Sequence, residues 1–244
     1  MPVRAGGSLP HGFGGREQGR EGVSREDRRR KGRESMVKDF TKPIDVRDGS
    51  YRETPDSIEL NWVRRKIKYI LIPGDIIQRR IRFLARQITE DYRDSRGLVI
   101  VTVLQGAQKF SSELAYLIDN EYVEFDSIRI SSYVGDKSTG EGRMTLPLKN
   151  DVTGKDLLIV EDIVDTGNQM KGFLERIRAD LDPRSVRLVT LTDKPARREV
   201  DLTIDYKGFV IPDEFVVGYG MDYNEKYRNL PFIGVLRDEV VRPG

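Results

Sequence analysis

Residues 157–170 read LLIVEDIVDTGNQM and set three carboxylates beside a turn. Glu161 and Asp162 are adjacent at the end of an aliphatic run, and Asp165 stands just before Thr166, Gly167, Asn168 and Gln169. Neighbouring carboxylates repel, so something cationic or rich in hydroxyls should lie between them. The backbone N–H groups at a helix start are unpaired and carry the positive end of the helix dipole, which makes a cradle for phosphate. Gly167 permits the tight turn and the close approach. Glu161 and Asp162 could accept hydrogen bonds from two neighbouring hydroxyls, such as those of a ribose. A phosphate at one end and a diol at the other describe a sugar phosphate. Two other readings compete. A Walker B strand also ends in acids, but the chain has no GxxxxGK[ST] to accompany one. A plainly capped helix would explain Asp165 or Thr166, but not two further acids on the preceding strand.

The surrounding pattern says which elements hold this stretch. LLIVED predicts a buried strand, and Met170, Phe173, Leu174, Ile177 and Leu181 mark a helix after it. Upstream, Ile77, Ile81, Leu84, Ile88 and Tyr92 fall on one face of an amphipathic helix, with Asp75 as its expected cap. LVIVTVL at 98–104 predicts a second buried strand, Phe110, Leu114, Leu117 and Ile118 a second helix, VEFDSIRI a half-exposed strand and VRLVTLT another buried one. Strands alternating with helices, with the strands continuously apolar, imply an α/β fold whose mostly parallel sheet is covered on both faces. In such sheets the ligand lies beyond the carboxyl ends of the strands. The polar segment SSYVGDKSTGEGRM, 131–144, is long for a connection; it is either a mobile lid over the site or an exposed hairpin.

Composition excludes several classes of chemistry. The 244 residues contain no cysteine, and the one histidine is His11 in a glycine-rich stretch, so acid–base work falls to Asp, Glu, Lys or Tyr. No apolar run approaches the roughly 18–20 residues of a membrane helix. Residues 1–35 carry nine Arg or Lys and five Asp or Glu, while the whole chain is only +2, so the remainder is slightly acidic. A nucleic-acid-binding body is therefore not favoured. The first 35 residues cannot bury a core and should be disordered; 36–54 reads as a linker and 55–244 as the folded domain. The tail lacks a signal-peptide core and its acids argue against a transit peptide, so a cytoplasmic setting is expected.

LLIVEDIVDTGNQM resembles the phosphoribosyl pyrophosphate signature of type I phosphoribosyltransferases, and GFVIPDEFVVGYGMDYNEKYRNLPFIGVL resembles the purine-binding segment of the hypoxanthine-guanine phosphoribosyltransferases. LQG at 104–106 and SSYVGDKSTG at 131–140 stand in the expected order, so the resemblance covers about 55–240. It implies the type I fold, a central sheet with a smaller hood built from N- and C-terminal segments. It also implies transfer of phosphoribose from phosphoribosyl pyrophosphate to N9 of hypoxanthine or guanine, with Mg²⁺, in a homodimer or homotetramer.

By position, the resemblance makes Glu161 and Asp162 ribose and metal ligands, Asp165 the general base near N7, and Thr166, Gly167, Asn168 and Gln169 the 5′-phosphate cradle. Leu104, Gln105 and Gly106 match the pyrophosphate loop, which turns inward through an often cis peptide, and Arg228 a pyrophosphate-binding cation. Lys194 matches the donor to the 6-oxo group, Phe215 the ring that stacks on the base, Val216 a backbone contact to its edge, and Asp222 an acid on the purine side that also binds metal. Ser132 and Tyr133 belong to the lid. Gln105 stands where many relatives carry a basic residue, and Gln169 where Thr is common. Two other functions stay open: a regulatory protein on this fold that binds RNA or a partner, which the basic tail alone favours, and an enzyme for xanthine or another base.

Overall fold

The computed structural model describes Phe40 and residues 42–58, 60–134 and 137–241; the tail expected to be disordered lies outside them. In chain order the strands are β1 (Ile44–Asp45), β2 (Ile67–Ile72), β3 (Leu98–Val103), β4 (Val123–Val134), β5 (Lys137–Leu146), β6 (Asp156–Val164), β7 (Ser185–Asp193), β8 (Tyr206–Val210), β9 (Val216–Val217) and β10 (Ile233–Leu236). The helices are α1 (Asn61–Lys66), α2 (Gly74–Asp91), α3 (Gln108–Ala115), α4 (Asn168–Asp180) and α5 (Asp238–Val241). None is long and apolar enough to cross a membrane.

Seven strands form the main sheet in the order β1-β8-β7-β6-β3-β4-β5, all parallel except β5, which runs back along β4. β3 and β6 are central, and their aliphatic side chains are buried because both faces are covered. Met170, Phe173, Leu174 and Ile177 of α4 pack on one face with Val99, Val101, Leu157 and Ile159. A second sheet, β2-β10-β9, joins an N-terminal strand to two C-terminal ones over its own cluster of Val63, Ile67, Val217, Leu230 and Phe232. This is the hood expected over the carboxyl ends of the main strands.

Several expectations need correction. Asp75 does not cap α2; the cap position is Pro73, and Asp75 lies in the first turn. The helix starts two residues early, and its first residue, Gly74, sits so close to Pro231 that a Cβ would come within 2.3 Å of the Pro231 carbonyl oxygen. Leu117 is 43% exposed, since α3 ends at Ala115 and the helical phase is lost before it. Part of the 36–54 stretch is not a linker. Ile44 and Asp45 pair with Phe209 and Val210 at the sheet edge, and Val46 and Tyr51 are buried. The backbone of the suspected lid forms the two arms of a hairpin, Ser131 opposite Arg143 and Tyr133 opposite Ser138. The side chains of Ser132 and Tyr133 lie outside the described residues.

Candidate active site

The carboxyl ends of β3, β6 and β7 stop side by side, and the turns that leave them build the site. A cavity of about 480 Å³ is lined by Gln105 and Gly106 after β3, Glu161, Asp162, Asp165, Thr166, Gly167 and Gln169 from β6 and the turn after it, and Asp222 and Arg228 from the C-terminal loop. Gly167 occupies the N-cap of α4 with φ +87°, a left-handed conformation that glycine adopts freely, and lines the cavity with Gln169 of the first turn. Asn168 does not line the cavity; its amide side chain donates to Glu199 at 2.5 Å. What it can offer an anion is its main-chain N–H.

At the cavity floor the 104–105 peptide is cis, and Gly106 lies so close to Asp162 that a Cβ would sit 1.9 Å from its Oδ2. Asp162 is 8% exposed, and its Oδ1 accepts from the Ile163 N–H at 2.9 Å. Burial, reinforced by the charge of Asp162, pushes the Glu161 carboxyl well above the ordinary range. Burial also raises Asp162, against the pull of hydrogen bonds and of Arg228. This pair resists ionising together unless positive charge or hydroxyl donors arrive, which is the requirement their adjacency implied. Asp222 faces the same cavity and does not line the one that holds Lys194 and Phe215; it is paired with Arg228 at 2.9 Å. Arg228 Nη1 also donates to the Gly220 carbonyl at 2.9 Å, while its Nε is buried without a hydrogen bond. Among the described residues no three carboxylates converge as a ready cation cage.

A second cavity, about 370 Å³, is lined by Lys194, Arg197, Asp213, Glu214 and Phe215 with Lys68, Val235 and Leu236. Lys194 is 5% exposed, and burial pushes its ammonium below the ordinary lysine value while Asp165 and Asp213 pull it back. Its Nζ donates to the Glu214 carbonyl at 3.0 Å, with Asp213 Oδ1 3.9 Å away. Phe215 is 43% exposed, its ring edge-on to Tyr223 at 5.2 Å, so an aromatic face is left bare at the cavity. Val216 lines neither cavity; it is buried in β9 opposite Val235.

Asp165 lines the first cavity and reaches Arg197, which lines the second. Its Oδ1 is 3.1 Å from Arg197 Nε as an ion pair, yet accepts no hydrogen bond. Arg198 holds the backbone of the same turn, donating to the Asp165 carbonyl at 3.1 Å and to Asp193 Oδ1 at 2.5 Å. Neither arginine was foreseen. Two basic residues after a strand read as a solvated end, and only the parallel pairing of β6 with β7 brings them to the turn.

Residues 73–224 match the phosphoribosyl transferase domain family. The chain is 45% identical over 175 residues to the bifunctional protein TilS/HprT of Listeria monocytogenes serotype 4b (strain F2365), covering 71% of this chain and 26% of that one, so it spans about a quarter of that relative's length. It is 41% identical over 179 residues to the hypoxanthine-guanine phosphoribosyltransferase of Bacillus subtilis (strain 168), covering 73% of this chain and 98% of the relative. A solved structure of a hypoxanthine phosphoribosyltransferase from Staphylococcus aureus is similar with a TM-score of 0.71 and 41% identity, over 75% of this chain and all of that one. With the signature turn lining the first cavity, the chain belongs to the phosphoribosyltransferase family, in its hypoxanthine-guanine branch.

Proposed function

We propose that this chain transfers the 5-phosphoribosyl group of phosphoribosyl pyrophosphate to N9 of hypoxanthine or guanine, giving IMP or GMP and pyrophosphate. The observation that supports it most is the ion pair between Asp165, which lines a cavity suited to a phosphorylated sugar, and Arg197, which lines one holding a buried ammonium and a bare aromatic face. In this reading the amides of the Thr166–Gln169 turn hold the 5′-phosphate, and Glu161 and Asp162 accept from the ribose hydroxyls. The Gly106 backbone and Arg228 receive the pyrophosphate, whose anion answers the unpartnered Arg228 Nε. The bond from C1′ to pyrophosphate breaks, N9 bonds to C1′, and the purine proton passes to the free oxygen of Asp165.

Mg²⁺ fits these residues. It usually takes one or two carboxylates and completes its shell with substrate phosphates and water. Glu161 and Asp162, with Asp222 nearby, offer such a set without a closed cage. The ion would neutralise charge on the departing pyrophosphate. We place the reaction in the cytoplasm and expect a homodimer or homotetramer, for which Tyr116 and Phe125 leave exposed aromatic surface at 88% and 61%.

Lys194 decides the base. Its ammonium has only donors, which suit a 6-oxo acceptor and not the 6-amino donors of adenine. A site built on such a contact can discriminate by roughly 10⁴. The test compares kcat/KM for hypoxanthine and adenine in wild type and Lys194→Ala. Wild type should strongly prefer hypoxanthine, and the variant should lose most of that activity while the gap narrows. Equal use of both bases by wild type would sink the Lys194 assignment and the 6-oxopurine class together.

A further inference from the structure

Beside the 104–106 turn lies a partly buried polar cluster, centred on Tyr219, whose residues line neither cavity. Tyr219 is 1% exposed and has φ +54°, between Gly218 at +97° and Gly220 at +107°. The glycines are explained by close approach. A Cβ on Gly218 would lie 2.1 Å from the Phe232 carbonyl oxygen, and one on Gly220 would lie 2.0 Å from that of Gly106. For a bulky aromatic residue the left-handed conformation is unfavourable and persists only where the surroundings enforce it. The main chain is held by hydrogen bonds from the Tyr219 N–H to the Leu230 carbonyl at 2.9 Å and from the Gly220 N–H to the Arg228 carbonyl at 3.0 Å, and the hydroxyl anchors the side chain. It donates to Glu113 Oε2 and accepts from Gln78 Nε2 at 2.5 Å. Lys109 Nζ donates to Glu113 Oε1 at 2.5 Å and sits 4.8 Å over the Tyr219 ring.

The partners belong to elements that reach the site from different sides. Lys109 and Glu113 lie on α3, which starts where the 104–106 turn ends, and the Gln108 N–H donates back to the Gln105 carbonyl at 3.2 Å. Tyr219 lies on the loop that carries Asp222, and the adjacent Gly220 carbonyl accepts from Arg228. We propose that Tyr219 and Glu113 are positioning residues that lock the 104–106 turn to the 218–228 loop and so fix the wall that receives the pyrophosphate of the donor. This rests on assigning that cavity to phosphoribosyl pyrophosphate.

The full chain carrying Tyr219→Phe or Glu113→Gln is compared with wild type by varying each substrate in turn, and by calorimetric titration with magnesium pyrophosphate. KM for phosphoribosyl pyrophosphate and Kd for pyrophosphate should rise roughly five- to tenfold, within the net size of one typical hydrogen bond. KM for hypoxanthine should stay within about twofold, and the double variant should be no worse than the poorer single one, because the two side chains act as one unit. If both KM values move in proportion, or neither donor KM nor pyrophosphate affinity moves, the inference is wrong. Wild type that binds pyrophosphate but does not turn over hypoxanthine would overturn the proposed activity, and the titration would still decide the lock. Should Tyr219→Phe not fold, Glu113→Gln carries the same comparison.

Discussion

For its proposed part Asp165 needs an oxygen without a hydrogen bond at the wall of the first cavity, and Oδ1 is that oxygen. Arg197 at 3.1 Å holds the carboxylate in place by charge. Asp165→Asn keeps the shape of the turn, whose backbone is tied by Arg198, but cannot take a proton. Its kcat should fall by roughly 10² to 10⁴ while KM for phosphoribosyl pyrophosphate changes little. Steady-state kinetics would assign Asp165 to binding instead if kcat held and that KM rose. At this scale the signature residues were legible because Glu161, Asp162 and Asp165 crowd into five positions, and Lys194 and Phe215 because flanking motifs matched. Arg197, Arg198, Glu113 and Tyr219 were not, because their meaning lies in partners far along the chain. Asp222 was expected beside Lys194 and Phe215, while the structure pairs it with Arg228 in the other cavity.

Between elements, closeness is set by glycine. Gly106 and Gly220 let the turn after β3 and the C-terminal loop touch backbone to backbone. Gly220→Ala would add a Cβ 2.0 Å from the Gly106 carbonyl at a residue with φ +107°, so one of the two segments must retreat. A loss of about 1–3 kcal/mol in denaturant unfolding is expected, together with a raised KM for phosphoribosyl pyrophosphate. Unchanged stability and KM would show that the contact is slack. The long elements announced themselves: LLIVED and VRLVTLT are continuous aliphatic runs, and α2 has a clean apolar stripe. Short ones did not. β1 is only Ile44–Asp45, too few residues to show any period, and its strand character comes from β8 beside it. The 131–144 segment left its reading open, since glycine and serine suit a turn as well as a lid.

Across the whole molecule, the amino ends of the main strands are tied as firmly as the carboxyl ends are left open. Asp156, at the start of β6, accepts from Ser95 at 2.6 Å, Ser185 at 2.7 Å and Arg184. The Arg184 hydrogen bonds, with the two hydroxyls, lower its carboxyl from the ordinary 3.8 to about 2. A depressed carboxylate stabilises the fold above its unfolded value and loses that contribution as pH falls from about 4 to about 2, here roughly 2 kcal/mol. Asp156→Asn should therefore be less stable by about that amount at pH 7, with the difference closing toward pH 2 in urea titrations. An equal gap at both ends would mean packing, not charge, is at stake. The basic tail should be silent in catalysis, since every assigned residue lies at or after Leu104. Deleting residues 1–35 should leave kcat/KM for hypoxanthine within about twofold, whereas a tenfold loss, about 1.4 kcal/mol, would bring the tail to the site. Where the chain is cut matters more than how much is removed. The two residues of β1 occupy the outer hydrogen-bonding edge of β8, and the Val46 N–H adds a bond to the Val210 carbonyl at 3.0 Å. A short edge strand followed by the charged Asp45–Arg47 pair is a poor template for a foreign strand, whereas a bared β8 is a good one. A chain begun at Pro55, the boundary that composition suggests, would keep every proposed catalytic group and still recruit its neighbours edge to edge. Light scattering should show it growing into large particles while a chain begun at Met36 does not.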